Sequence, residues 1–281
     1  MRASLQGTMT MPFRLSSKSI LTVVFLAAGT VPAVADTVRI GGTGGATALM
    51  MYLGKPFMQR TGIAVEVVPS LGSGGGNKAV ADGVLDLSVI GRTLSETEMA
   101  RGLTETARIR TPFVFATSNL GPVGMTEREI LSVYANPAAA WPDGMPVKLI
   151  MRPVAEDDNA VIASLFPGMP AGLALARQRR ELPIATIDQN NADLAEGLRG
   201  SFIGATYTQI IMEHRDLRLI AIDGVDPGMD AFESGRYRYT KVFHIIRGHQ
   251  PNAATAQFTS FLTSDAGASA LREAGCLPGA E

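Results

Sequence analysis

The chain has 281 residues, of which 46% are hydrophobic and 18% charged, with 30 glycines, 16 prolines and one cysteine. That composition excludes a disordered polymer, and 25 basic against 26 acidic residues exclude the strong positive field of a nucleic-acid or anionic-membrane binder. The lone Cys276 excludes an intramolecular disulfide framework and every multi-cysteine metal site.

Arg2, Arg14 and Lys18 precede an apolar run from Ile20 to Ala28, and Ala33-Val34-Ala35 offers a small-x-small cleavage site before Asp36. This order of basic, apolar and small residues predicts a cleavable secretory signal peptide over 1–35. Gly29 and Pro32 break the apolar run before it reaches the roughly 20 residues of a membrane span. Its removal takes away three basic residues and no acidic one, so the mature chain is expected to be mildly acidic and periplasmic. Cytosolic cofactors such as ATP and NAD are poor candidates there, and no cofactor is expected.

From Thr37 onward, strand and helix alternate. Thr37 to Ile40 predicts a strand, Gly41 to Gly45 a turn, and Ala46 to Thr61 a helix that Gly62 ends in a left-handed cap. Ile63 to Pro69 predicts the second strand, Gly72 to Gly76 a second glycine turn, Asn77 to Asp82 the start of a helix, and Asp86 to Ile90 a third strand. Helical crossovers between these strands force parallel pairing, so the fold class is α/β. Further strands are expected at Thr111–Thr117, Val147–Met151, Ile184–Ile187, Phe202–Ala205, Leu217–Asp223 and Lys241–Arg247. Thr126 to Glu129 reads as a capping box opening a helix. Other helices are expected at 159–165, 172–180, 192–198 and 207–215, with a closing pair over 251–263 and 264–274. Short connections throughout fit two α/β lobes: 36–115 and the return 239–281 in the first, 116–238 in the second.

Both glycine turns join a strand end to a helix start, where free N–H groups and the helix dipole favour an anion. In a parallel sheet such turns share one edge and can face one crevice. For each turn alone, tight chain reversal is the plainer explanation; the pair in one exported chain favours binding. Gly72 to Ala79 lacks the second glycine and the hydroxyl of a P-loop, and Thr47 stands where a dinucleotide fingerprint needs a small residue. His214, His244 and His249 have no metal-ligand spacing, and neither a zinc-protease nor a serine-hydrolase motif occurs, so no metal and no catalytic residue is expected. Glu156-Asp157-Asp158 could hold a hard cation but reads more simply as a solvated helix entrance.

The runs Gly41 to Thr47, Thr61 to Val65, Leu71 to Lys78 and Asp82 to Ser88 resemble the periplasmic phosphate-binding proteins of ABC importers. Thr126 to Tyr134, Trp141, Arg152 and Gly200 to Gln209 match that family in order. The resemblance implies a two-lobed type II periplasmic binding protein fold, each lobe a mixed, mostly parallel sheet with flanking helices. It further implies a small oxyanion ligand, phosphate first, and delivery by a monomer to a membrane ABC permease, with no nucleic acid involved. Thr47 and Ser73, with the backbone N–H groups of Gly74 and Gly75, fall on ligand-contacting positions, and Arg152 on the arginine that pairs with the anion.

Two positions depart from the family. Gly91-Arg92 replaces the aspartate that accepts the proton of monohydrogen phosphate, and Glu156-Asp157-Asp158 replaces a Ser-Gly-Thr turn. The expectation is that Arg92 supplies a second cation and that Asp157 or Asp158 takes the acceptor role. Alternative readings are a sensory module on the same fold with another ligand, or an exported phosphate-ester hydrolase.

Overall fold

Strand β1 (Thr37–Gly42) opens the fold in the computed structural model, which describes residues 7–8 and 37–279. The apolar run and cleavage site of the expected signal peptide lie outside the described residues. A single 3-10 turn at Gly44–Ala46 leads into α1 (Thr47–Thr61), which Gly62 closes at φ 74°. β2 (Ala64–Val68), α2 (Gly72–Ala81), β3 (Leu87–Ile90) and α3 (Glu96–Ala100) follow. β2 and β3 both pair in parallel with β1, as the crossover argument requires.

β4 (Thr104–Thr117) is fourteen residues long. After it come α4 (Glu127–Ala135), β5 (Lys148–Leu149), α5 (Asp158–Ser164), α6 (Met169–Ala176), α7 (Asp188–Gly197), β6 (Ser201–Thr206), α8 (Tyr207–Met212), β7 (Arg218–Leu219) and α9 (Met229–Glu233). β8 (Thr240–Arg247), α10 (Ala253–Leu262), α11 (Asp265–Glu273) and β9 (Leu277–Pro278) complete the described chain. The strands run in the order β2-β1-β3-β8-β4-β6-β5, with β7 and β9 also on β4.

β4 changes partner along its length. Thr104 to Pro112 pairs antiparallel with β8, and Phe113 to Ala116 pairs antiparallel with β6. The core changes at the same point. Ile109 packs with Leu53, Phe57, Phe258 and Leu271, whereas Phe113 and Phe115 pack with Tyr134, Trp141 and Phe202. In the first core Phe57 meets Phe258 edge-on at 5.0 Å; in the second Phe115 stacks on Phe202 at 4.9 Å. Trp141, fully buried, donates its indole N–H to Gly200 O at 3.1 Å.

Several expectations change, among them Val147 to Met151, which shortens to β5 and an isolated bridge at Met151. The run Gly72 to Gly76 is the first turn and a half of α2, not a turn before it. Glycine costs about 1 kcal/mol per helical position, but a Cβ on Gly76 would stand 2.8 Å from Gly42 Cα, so close seating on β1 decides the residue. Ile184 to Ile187 forms no strand: only Ile184 bridges to Met151, and Ile184 and Ile187 are exposed because no second strand covers them. Leu217 to Asp223 shortens to β7 and an isolated bridge at Ile222. α3, α9 and β9 had no counterpart in the sequence reading. No described helix is long and apolar enough to cross a membrane.

Candidate functional site

The C-terminal ends of β1 and β3, the start of α2, the loop before α5 and the start of α7 enclose a cavity of about 330 Å³. Thr43, Gly44, Ser70, Gly72, Ser73, Gly74 and Arg92 reach it from the first core's side. Arg152, Ala155, Glu156, Asp157, Ile187 and Asp188 reach it from the second. Of the residues singled out from the sequence, Ser73, Gly74, Arg92, Arg152 and Asp157 therefore meet there. Gly75 lies one residue further along α2 and Asp158 behind the cavity wall. Thr47 is not at the cavity: it starts α1 and lines a crevice with Ile40 and Val67. Thr43 brings a hydroxyl to the cavity instead, because the chain makes a 3-10 turn before α1 begins.

The donors on the first side already hold carboxylate oxygens from the second. Ser73 Oγ accepts from Gly91 N at 3.1 Å and donates to Asp157 Oδ2 in a short hydrogen bond. Gly45 N–H donates to Asp188 Oδ2 at 2.9 Å, with Thr43 Oγ1 at 3.5 Å from the same oxygen. Gln189, next on α7, donates to Gly44 O at 3.0 Å and accepts from Ser70 Oγ at 3.0 Å.

Arg152 is 4% exposed. Its Nη1 donates to Ala185 O at 3.0 Å, its Nη2 meets Glu156 at 2.9 Å and Asp188 at 3.2 Å, and its Nε is buried with no protein partner. Arg92 grips Glu98 with both terminal nitrogens, at 2.8 and 2.9 Å, and its Nε lies 3.7 Å from Asp157. The Arg92 fork, with Ser95 and Asn77, holds Glu98 far below the usual carboxylate range.

Lys241, which sequence reasoning did not single out, is 2% exposed at the start of β8 and pairs with Asp158 at 2.5 Å. Asp158, one candidate for proton acceptor, is thereby committed to an ion pair. A Cβ on Gly91 would lie 2.7 Å from Lys241 Nζ and 3.0 Å from Asp157 Oδ2. A side chain at position 91 has no space here, since the ammonium and Asp157 fill it. Gly91→Asp is expected to displace both and to lower stability by roughly 1–3 kcal/mol, a loss that urea unfolding would read.

Two guanidiniums, Arg92 from the first side and Arg152 from the second, thus line the cavity with three carboxylates. Burial and repulsion from Asp158 push Asp188 up to about 6, with Arg152 and Lys241 opposing them. An acid raised above its unfolded value contributes its stabilisation below about pH 4; the contribution is lost as the pH rises through about 6. Glu98 has the opposite sign: its contribution is present at neutral pH and is lost on acidification.

Residues 27–266 match the family described as the PBP superfamily domain. The chain belongs to that superfamily. No curated protein matches it. Among solved structures, a candidate phosphate ABC transporter substrate-binding protein from Clostridium perfringens, with bound phosphate, superposes with a TM-score of 0.70 at 17% identity. The alignment covers 87% of this chain and 100% of that one. An ABC-type phosphate transport receptor from Vibrio cholerae gives 0.58 at 17% identity, over 87% and 100% of the two chains. A phosphate-binding protein from Stenotrophomonas maltophilia gives 0.62 at 12% identity, over 87% and 91%. At these identities the superpositions establish the two-lobed α/β fold of the superfamily.

Proposed function

We propose that the chain is the exported, periplasmic solute-binding component of an ABC importer, and that it takes a small oxyanion, phosphate first, between its two lobes. The observation that carries this reading is the pair of donor groups at the strand ends, Ser73 Oγ and Gly45 N–H. Each holds a carboxylate oxygen that crosses from the opposite lobe, beside the buried Arg152 guanidinium. Groups arranged to receive two carboxylate oxygens can receive two oxygens of a tetrahedral oxyanion, and Arg152 has a fork suited to a third.

Both lobes must touch the ligand for it to shift the equilibrium between open and closed forms. The hinge is the pair of crossings at Pro112–Phe113 and Tyr239–Thr240, where β4 and β8 pass between the cores. Asp157, with its second oxygen 3.7 Å from Arg92 Nε, is the acceptor for a phosphate proton. Sulfate carries no proton at neutral pH and would leave that carboxylate facing bare negative charge. A monomeric, non-enzymatic carrier that meets its permease at the open edges of the cleft completes the reading.

Thermal unfolding of the protein, purified as the cell exports it, tests this. Phosphate at a hundredfold excess over its Kd is expected to add about 2.7 kcal/mol, raising Tm by roughly 5–11 °C, with sulfate well below that. Absence of a shift with phosphate, sulfate, molybdate and tungstate alike would overturn the oxyanion reading.

A further inference from the structure

Asp188 and Gln189 are adjacent in the first turn of α7, and neither serves its own helix. The residue at the helix cap is Ile187, with no side-chain capping bond, and both polar side chains reach across the cleft to the glycine turn after β1. They meet it at both polarities, Asp188 on the Gly45 N–H and Gln189 on the Gly44 carbonyl, while Ser70 Oγ binds Gln189 from the end of β2. The turn is shaped to receive them. A Cβ on Gly44 would lie 2.7 Å from both Asp188 Oδ2 and Gln189 Oε1. Ser70 is held at φ 56°, a left-handed conformation that costs a non-glycine residue of order 1–3 kcal/mol.

From this geometry we infer that the Asp188–Gln189 pair is a built-in latch: it closes the lobes without ligand by occupying an oxyanion position on the first lobe, and the incoming anion must displace it. The inference rests on the oxyanion reading above for the identity of the displaced position, but the closure itself does not. A ligand oxygen at Gly45 N–H and the Asp188 carboxylate cannot share one donor. A divalent anion beside an ionised Asp188 also meets direct repulsion.

The charged groups around Asp188 are Arg152, Glu156 and Asp158 from the loop and start of α5, and Lys241 from β8; Glu213 receives the Gln189 amide at 2.7 Å. Protonation of Asp188 removes its charge while Arg152 keeps Glu156 as a partner. The latch therefore releases to an anion more readily in mild acid, within the interval set by the raised titration of Asp188 near 6.

The test compares the parent with D188A/Q189A, and separately with the isosteric Asp188→Asn. Small-angle scattering without ligand is expected to find the parent compact and the double variant expanded. Isothermal titration with inorganic phosphate at pH 8 is expected to give Asp188→Asn at least tenfold tighter binding than the parent. The ratio should fall toward one at pH 5. Equal scattering profiles for parent and double variant without ligand would overturn the latch. So would phosphate affinity that is unchanged or weaker in Asp188→Asn at pH 8. Expansion of the double variant with no phosphate binding by any form would uphold the latch and refute the oxyanion reading. Tight phosphate binding that is identical in parent and Asp188→Asn would do the reverse.

Discussion

Lys241→Met is expected to cost about 3–5 kcal/mol, the range for removing one partner of a buried ion pair. On a domain of this size that lowers Tm by roughly 6–20 °C. The ammonium is 2% exposed and lies 2.5 Å from Asp158, with Asp157 and Asp188 also within its field. Its loss leaves buried negative charge with no compensating cation at that end of the cleft, and removes one of the two groups that hold Asp188 down. The size of the effect comes from the carboxylate left behind, so D158N in the same chain should return most of the stability. A double-mutant cycle by urea unfolding checks this; additive losses in the double variant would show that the pair does not act as a unit.

The second large effect is expected at Gly42. At φ 138° this residue has a conformation that side chains rarely adopt, and a Cβ there would lie 2.0 Å from Val89 O on the neighbouring β3. The backbone of β3 cannot move aside without breaking its register with β8, so Gly42→Ala should lose about 4 kcal/mol or more. Gly74→Ala supplies the contrast. That position has open space and lies in the first turn of α2, so alanine there should be neutral or stabilising by about 0.4–1 kcal/mol. If both variants unfold at the same urea concentration, the close approach of β1 and β3 is not the constraint described above.

These two residues also mark what could be read from the sequence. The glycine-rich runs after β1 and β2, the Gly62 stop and the Thr126–Glu129 capping box announce the α/β alternation, because each is a local signal with a local cause. Ser73 and Arg152 carry recognisable neighbours and do reach the cavity. Asp188, Gln189 and Lys241 carry none. Asp188 opens a polar helix that reads like any solvated surface, and only folding brings it to a turn 143 positions earlier in the chain. Lys241 is the second residue of an otherwise apolar strand run, Lys-Val-Phe-His-Ile-Ile, which reads as a strand with a charged, solvated end, and only the fold buries its ammonium. Thr47 looked like a ligand residue because its offset from the glycines matched. A 3-10 turn of three residues precedes α1, and it is Thr43, not Thr47, that lines the cavity.

β8 lies between β3 and β4 in the sheet, although more than a hundred positions separate it from either in sequence. Non-local pairing of this kind delays closure, because the intervening loop must lose its freedom before any contact rewards it. A chain emerging in order from its N-terminus thus holds β3 and β4 with their facing edges bare until residues 240–247 arrive, while the core of 113–239 can already assemble. The early product of synthesis is a half-built molecule whose first lobe is still an open polymer. Only the first core, which draws on residues of β1, β3, β4, β8, α10 and α11, has to wait for the last sixth of the chain.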